Sequence, residues 1–280
     1  MSENSNPLRQ FFRQPAIYFR LPSEGRYWPE DALELPPTQE IPVYPMTAID
    51  EITYRTPDAL FGGQATVNVV QSCIPCIHSA WQMPSVDVNA VLVAIRIASY
   101  GHAMDISSVC PSCAHEGEYT TDLRTSLSKI GCAAYHEPHT WGGLEFQFRP
   151  LNYQDQNHIN LAQFEQQKMI SNIQSSDLSE EEKVTKLGEC LQNVTALTIQ
   201  SLARCTVSIR TQNAIVTDRE HIEEFFQNCE RKLFMEIRDY VIALREPSEL
   251  PLLDVKCESC EFDYKQALVL DQTSFFGNAS

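Results

Sequence analysis

Positive charge is scarce in this sequence. Its 280 residues include 21 Lys and Arg against 37 Asp and Glu, which gives a formal net charge of −16 and an isoelectric point near 4.8. An acidic surface repels the phosphates of nucleic acids and of anionic lipids. The charge balance therefore disfavours nucleic-acid binding and attachment to a membrane.

Long apolar runs are missing as well. The most apolar window, Val88 to Ala98, has about half of the roughly 20 residues that a membrane helix needs, and Arg96 interrupts it. The polar start, Met1 to Gln10, predicts no secretory signal. We therefore expect a cytosolic protein, in which the ten cysteines are reduced thiols or metal ligands rather than disulfides.

The motifs of common enzyme classes are also absent. Gly62-Gly63 and Gly142-Gly143 lack the lysine and the spacing of a phosphate-binding loop. No Gly-x-Ser-x-Gly, His-Glu-x-x-His or EF-hand pattern occurs. The acidic run Glu180 to Glu182 opens a predicted helix, where the helix dipole favours negative charge. The sequence thus predicts a protein that is not an enzyme.

Prolines are frequent near the N-terminus, where they remove backbone donors and prevent a long helix. They predict an extended arm over residues 1–46, in which Ile17 to Leu21 and Ile41 to Val43 alternate like strands. Such strands pair within the chain or with a partner's sheet. The aromatic residues of the arm are the predicted partner-binding anchors: Phe11, Phe12, Tyr18, Phe19, Tyr27 and Trp28.

The next segment, 47–150, has mixed signals and predicts an α+β region. A short helix is expected from Thr56-Pro57 to Gly62-Gly63, and a buried helix from Val88 to Tyr100. Strands are expected at Glu118 to Leu123 and at Leu144 to Phe148, where apolar and polar residues alternate.

Residues 151–245 show helical periodicity and predict an inserted helical domain. One helix is expected from a cap at Asn152 to about Ile173, and a second from a capping box at Ser179. A third is expected from a capping box at Thr217 to Leu244. A small hairpin of Val207 to Ile209 with Ile215-Val216 is expected between the last two helices. The remainder, 246–280, is predicted to be a strand-like tail.

Two cysteine pairs give the sequence its most specific chemical signal. Cys110 and Cys113 form one C-x-x-C motif, Cys257 and Cys260 form another, and an aromatic residue that opens a strand follows each pair. Four thiolates form a closed tetrahedral structural zinc site. We therefore predict one shared zinc ion, which requires the long segment between the pairs to be a folded insertion.

Other interpretations of the cysteines remain open. Cys110 and Cys113 could instead bind a metal with His136 and His139, either pair could be a redox centre, or the thiols could be packing residues. A third pair, Cys73 and Cys76, follows an apolar run and is expected to be structural. The single cysteines are expected to be core residues: Cys132, Cys190, Cys205 and Cys229.

Several segments together resemble a known family: Gln14 to Gly25, Tyr44 to Ile52, Thr56 to Gly63, Val70 to Pro75, Ala94 to Gly101, Cys110 to Cys113 and Thr273 to Gly277. They resemble the baseplate hub proteins of T-even-type contractile-tailed phages. The resemblance implies a subunit or an assembly factor of the baseplate hub, found in the virion and, during assembly, in the host cytoplasm. The implied partners are other tail hub proteins or a second copy of the chain, and no catalytic residue is implied.

The sequence as a whole predicts an α+β fold with an extended proline-spaced arm, a four-cysteine zinc-ribbon-like element and an inserted helical domain. The predicted function is that of a non-enzymatic phage tail protein. Two alternatives remain: a zinc-ribbon protein that binds nucleic acid or acts in transcription, and a C-x-x-C thiol oxidoreductase. Glu258, Glu261 and Asp263 beside the second pair disfavour the first, because a phosphate-binding surface is basic.

Overall fold

The computed structural model describes residues 7–54, 62–176 and 178–268, and its fold is α+β, as the sequence predicts. The described α-helices are α1 (Ala48–Tyr54), α2 (Gln64–Cys73), α3 (Ser85–Tyr100), α4 (Leu123–Lys129), α5 (Tyr153–Gln174), α6 (Glu180–Cys205), α7 (Arg219–Asn228) and α8 (Arg231–Ala243). The described strands are β1 (Ile17–Phe19), β2 (Ile41–Val43), β3 (Ala103–Val109), β4 (Glu116–Asp122), β5 (His139–Trp141), β6 (Leu144–Phe148), β7 (Thr206–Arg210), β8 (Ile215–Val216), β9 (Leu253–Lys256) and β10 (Asp263–Gln266).

The chain divides into two compact units. Unit 1 contains Met1–Ala80, Asp87–Gly131 and Ser248–Ser280, and unit 2 contains Trp81–Val86 and Cys132–Pro247. Unit 2 begins earlier than the predicted helical insertion, because β5 and β6 belong to it. The four predicted segments 1–46, 47–150, 151–245 and 246–280 stay a prediction.

The core of unit 1 is built around α3. Val91, Val93, Ala94 and Ile95 follow one another along this helix and are fully buried, so the helix is covered on all sides. The apolar run that the sequence showed between Val88 and Tyr100 is therefore a buried core helix. None of the described helices combines the length and the hydropathy that a membrane span requires.

The N-terminal arm is part of the core of unit 1. Its strands β1 and β2 pair antiparallel with each other, and Phe19, Ile41 and Val43 are buried. Arg13 fixes the start of the arm by donating hydrogen bonds to the carbonyl oxygens of Pro45 and Ser72, each at 2.7 Å. Of the two predicted pairings for the arm strands, the structure shows the one within the chain.

A buried carboxylate holds the middle of the arm. Asp87, in the first turn of α3, accepts hydrogen bonds from the Ser23 N–H at 2.8 Å, the Ser23 hydroxyl at 2.5 Å and the Trp28 indole N–H at 2.8 Å. Both Asp87 and Ser23 are buried. The arm is therefore attached to α3 by three hydrogen bonds to a single side chain.

Unit 2 is an antiparallel four-stranded sheet, in the order β5-β6-β7-β8, with helices α5 to α8. Phe146 and Phe148 of β6 are buried, and their rings lie 5.9 Å from those of Phe225 in α7 and Tyr240 in α8, respectively. The alternation of Leu144 to Phe148 thus marks a strand with one buried face. The predicted hairpin of β7 and β8 is also present.

The caps of the predicted helices are mostly confirmed. Asn152 caps α5, and Ser179 forms a capping box with Glu182 at the start of α6, which continues to Cys205. The cap of α7, however, is Asp218, which accepts from the His221 N–H at 3.0 Å. The predicted box at Thr217 was wrong, because the Asp218 carboxylate caps equally well one residue later.

The predicted single helix from Thr217 to Leu244 was also wrong, because it is two helices. Extended backbone at Cys229 and Glu230 separates α7 from α8. The rings of Phe226 and Phe234 are 6.3 Å apart, whereas eight residues of a continuous helix rise about 12 Å. The spacing of the apolar residues is compatible with one long helix and with two shorter ones. Packing of the Phe226 and Phe234 rings favours two helices. The predicted helix from Thr56 to Gly63 lies mostly outside the described residues.

Candidate metal centre

Both C-x-x-C motifs form the same backbone turn, each at the tip of a hairpin in unit 1. At the tip of β3–β4, the Cys110 N–H donates to the His115 carbonyl and the Ala114 N–H donates to the Cys110 carbonyl, both at 2.9 Å. At the tip of β9–β10, Cys257 donates to Phe262 at 3.0 Å and Glu261 donates to Cys257 at 2.9 Å. The local likeness of the two motifs in sequence is therefore a likeness of structure.

The residue after each pair has a left-handed backbone. Ala114 has φ 57° and Glu261 has φ 58°, a region that disfavours residues with a Cβ. This conformation turns the chain back into β4 and β10. Neither position is glycine, so each turn carries backbone strain that a bound ligand or the hairpin must offset.

We expect Ala114→Gly and Glu261→Gly each to raise the free energy of unfolding of unit 1 by about 1 kcal/mol, because glycine adopts positive φ without this steric penalty. Urea denaturation followed by circular dichroism measures the effect. Ala103→Gly in β3 is the control and should lower stability, since its backbone is extended. A loss of stability in both turn variants would contradict the strain argument.

The four sulfur atoms converge on one point. The Sγ atoms of Cys110 and Cys260 are 3.7 Å apart, as are those of Cys113 and Cys257, and all four lie within 4.8 Å of one another. A tetrahedral zinc ion with Zn–S bonds of about 2.3 Å places its sulfur ligands about 3.8 Å apart. The thiols therefore fit a four-coordinate zinc ion.

Backbone donors favour a thiolate in the second turn. The N–H groups of Cys260 and Ser259 hold the pKa of the Cys257 thiol at about 6, although burial of the group opposes this shift. Cys110 and Cys257 are buried, whereas Cys113 and Cys260 are exposed. The first cysteine of each pair thus lies on the protein side of the cluster, and the second lies on the solvent side.

The hairpins also contact each other beyond the cysteines. The Tyr264 hydroxyl donates to the Ser108 hydroxyl at 2.9 Å, which in turn donates to Gln266 Oε1 at 2.5 Å. Within the first hairpin, a Cβ added at Gly117 would lie 2.7 Å from the Tyr119 hydroxyl, so a side chain at this position would displace that ring. The two hairpins are therefore linked both by the cysteine cluster and by these hydrogen bonds.

The histidine alternative is wrong for the described residues. The only cluster of potential metal ligands among them consists of the four cysteines. His139 instead lies in unit 2, where its ring is 4.0 Å from that of Trp141 and 4.5 Å from that of Tyr240. His136 is an exposed residue of the same unit.

The third pair does not join the cluster. Cys73 is buried at the end of α2, and burial raises the pKa of its thiol to about 12. Burial also raises the pKa of Cys76 to about 11. Both therefore stay protonated near neutral pH, which disfavours redox reactivity. Of the single cysteines, Cys190 and Cys205 are buried, whereas Cys132 and Cys229 are partly exposed.

The predicted partner-binding residues fall into two groups. Phe11, Phe12 and Tyr18 are exposed, at 77%, 56% and 62%. Phe19 is buried, and Trp28 is partly buried by its contact with Asp87. Tyr27 is also partly buried. Only the first group can meet a partner without rearrangement.

Sequence reasoning missed two exposed apolar residues of α1, Ile49 and Ile52. The Asp50 carboxylate between them is 3.3 Å from Arg13, so this helix lies beside the start of the arm. The spacing of i and i+3 was visible in the sequence. The sequence did not show which face of α1 is exposed to solvent. The same short helix also carries Tyr54, which is buried.

Comparison with known proteins identifies the family. The family model described as T4 bacteriophage base plate protein matches residues 30–277, which are most of the chain. Searches of curated proteins and of solved structures found no match. The match includes all four clustered cysteines and confirms the resemblance to phage baseplate proteins. The chain therefore belongs to the T4 bacteriophage base plate protein family.

Proposed function

We propose that the chain is a non-enzymatic structural protein of the baseplate hub, either as a subunit or as a factor that helps the hub to form. The match to a baseplate family over residues 30–277 is the observation that carries this proposal. Its sites of action are the virion tail and, during assembly, the host cytoplasm. Its partners are other baseplate and tail hub proteins, and a second copy of the chain is a further candidate.

Cys110, Cys113, Cys257 and Cys260 hold one structural zinc ion in this proposal. A zinc ion with four thiolate ligands contributes folding energy and has no open coordination position for a substrate. The chain itself contributes two turns of equal geometry, and in the second turn backbone N–H groups lower the pKa of the Cys257 thiol. Because the pairs lie in distant parts of the sequence, the site connects the two ends of the segment that contains unit 2.

The exposed aromatic residues of the arm form the proposed contact with a partner. Phe11 and Phe12 precede Arg13, whose hydrogen bonds fix the backbone at this point, so less conformational entropy is lost when a partner binds. Large exposed aromatic residues are frequent anchors of protein interfaces. Ile49 and Ile52 are further exposed apolar residues of unit 1.

We expect the double variant Phe11→Ser, Phe12→Ser to weaken association with hub proteins at least 30-fold, because loss of an anchor commonly costs about 2 kcal/mol. Binding is measured by co-purification with co-expressed hub proteins and by titration of each partner found. Phe164→Ser in unit 2 is the matched control, since its side chain is exposed to a similar extent as that of Phe12. Unchanged binding of the double variant would reject the arm as the contact.

Quantitative mass spectrometry tests the proposed hub role. Phage particles and the hub intermediates that precede them should be compared for this chain. A fixed copy number per particle identifies a subunit, and presence only in intermediates identifies an assembly factor. Absence from both would contradict the proposal.

A further inference from the structure

Unit 1 contains a cleft of about 590 Å³ between β4 of the first cysteine hairpin and β9 of the second. Its walls include every residue from Glu118 to Asp122 and every residue from Pro251 to Lys256. Side chains alternate between the two faces of a strand, so a cleft along one face meets every second residue. A cleft that meets consecutive residues of both strands runs along their edges.

Both strand edges have unused backbone groups. The sheet of β3 and β4 has two strands, as does the sheet of β9 and β10, so β4 and β9 each have one neighbour. Within the described ranges, no backbone hydrogen bond connects the outer edge of either strand to another segment. Such edges accept an added strand, and two-stranded sheets by themselves are marginally stable.

The cleft is acidic and rich in hydroxyl groups. It contains four carboxylates and two lysines. Asp122 pairs with Arg124, Asp254 with Lys265 and Lys256 with Glu261. In the described part of the chain, Glu118, Glu258 and Lys129 have no ion-pair partner, so the unpaired charge of the cleft is negative on balance. An extended segment with basic side chains would complement these two carboxylates.

We propose that this cleft binds an extended, basic segment of another protein, which adds as a strand between β4 and β9. Main-chain hydrogen bonds to both edges would supply affinity, and the contacts of alternate side chains with Glu118 and Glu258 would supply specificity. The added strand would join the two hairpins into a single sheet. This inference rests on the proposed structural role only in assigning the segment to a partner protein.

The test uses the full-length chain and an acetylated, amidated octapeptide of alternating lysine and threonine as the probe. We expect the peptide to bind and to slow hydrogen exchange at least tenfold in both Glu118–Asp122 and Leu253–Lys256. A peptide N-methylated at alternate residues keeps its charge but loses the backbone N–H donors along one of its two edges. It should bind at least tenfold more weakly. A peptide of alternating glutamate and threonine should not bind.

Variants of the cleft provide the second arm of the experiment. Glu118→Lys and Glu258→Lys should each weaken binding at least fivefold. Glu116→Lys, an exposed position of the same strand β4 outside the cleft, should leave it unchanged. Equal binding of the N-methylated peptide, or absence of protection at both edges, would overturn the proposal. So would protection that grows with protein concentration without peptide, because the occupant would then be a second copy. None of these outcomes depends on whether the chain enters the baseplate.

Discussion

Replacing Cys110 with serine is expected to abolish metal binding and to destabilise the two cysteine hairpins by at least 5 kcal/mol. Apparent binding energies of structural zinc are about 10–16 kcal/mol in small domains, which is comparable with the total stability of a folded domain. The hydrogen bonds among Ser108, Tyr264 and Gln266, which also connect the hairpins, offset only part of this loss. Hydrogen exchange of β3, β4, β9 and β10 measures the effect.

Cys76→Ser provides the matched control for this change. Cys76 belongs to a C-x-x-C pair of the same unit that lies outside the cluster. In the Cys76→Ser variant, the amides of the two cysteine hairpins should therefore exchange as in the parent protein. Amides of the buried helix α3 should stay protected in both variants, because this helix lies in the core of unit 1 and carries none of the four clustered cysteines. Hairpin protection that survives Cys110→Ser would show that the cluster does not stabilise the hairpins.

Replacing Asp87 with alanine is expected to lower the free energy of unfolding of unit 1 by about 3–4 kcal/mol. The change leaves the Ser23 N–H and hydroxyl and the Trp28 indole N–H without their acceptor, and each unsatisfied buried donor costs about 1–3 kcal/mol. Asp105→Ala is the control, because that carboxylate accepts one bond from Thr120 at an exposed site. Urea denaturation gives both values, and equal effects of the two changes would contradict the assigned role.

The same carboxylate makes stability depend on pH. Burial raises the pKa of Asp87 from 3.8 to about 6, although the hydrogen bonds from Ser23 and Trp28 lower it in part. Between these two values the folded protein binds more protons than the unfolded chain, so stability falls as pH rises. The part of the stability that depends on protonation of Asp87 is complete below about pH 4 and is lost as pH passes 6. Asp87→Asn should remove this part of the pH dependence.

The elements with strong local signals could be predicted from the sequence. Asn152 and Ser179 mark helix starts because their side chains accept from the first free N–H groups, and this bond needs no tertiary contact. Strand β6 could be predicted from its alternation of apolar and polar residues, because this pattern requires only that one face of the strand is buried. The cysteine pairs were also visible, because two thiols in one turn form a local motif, and their repetition suggested a common ligand.

The features that depend on packing could not be predicted in this way. The break at Cys229 follows from contact of Phe226 with Phe234, and no local residue type marks it. The prolines predicted an extended arm, but they did not show that buried Asp87 holds it through Ser23 and Trp28. The cleft between β4 and β9 requires two hairpins that are far apart in the sequence to lie side by side.

The metal content of the purified, untagged chain tests the central claim most directly. Native mass spectrometry combined with elemental analysis should find one zinc ion per chain in the parent protein and in Cys76→Ser. It should find none in Cys110→Ser or Cys257→Ser, because each removes a ligand from the same site. A parent protein without zinc, or a full equivalent of zinc in either of these two variants, would contradict the shared four-cysteine site.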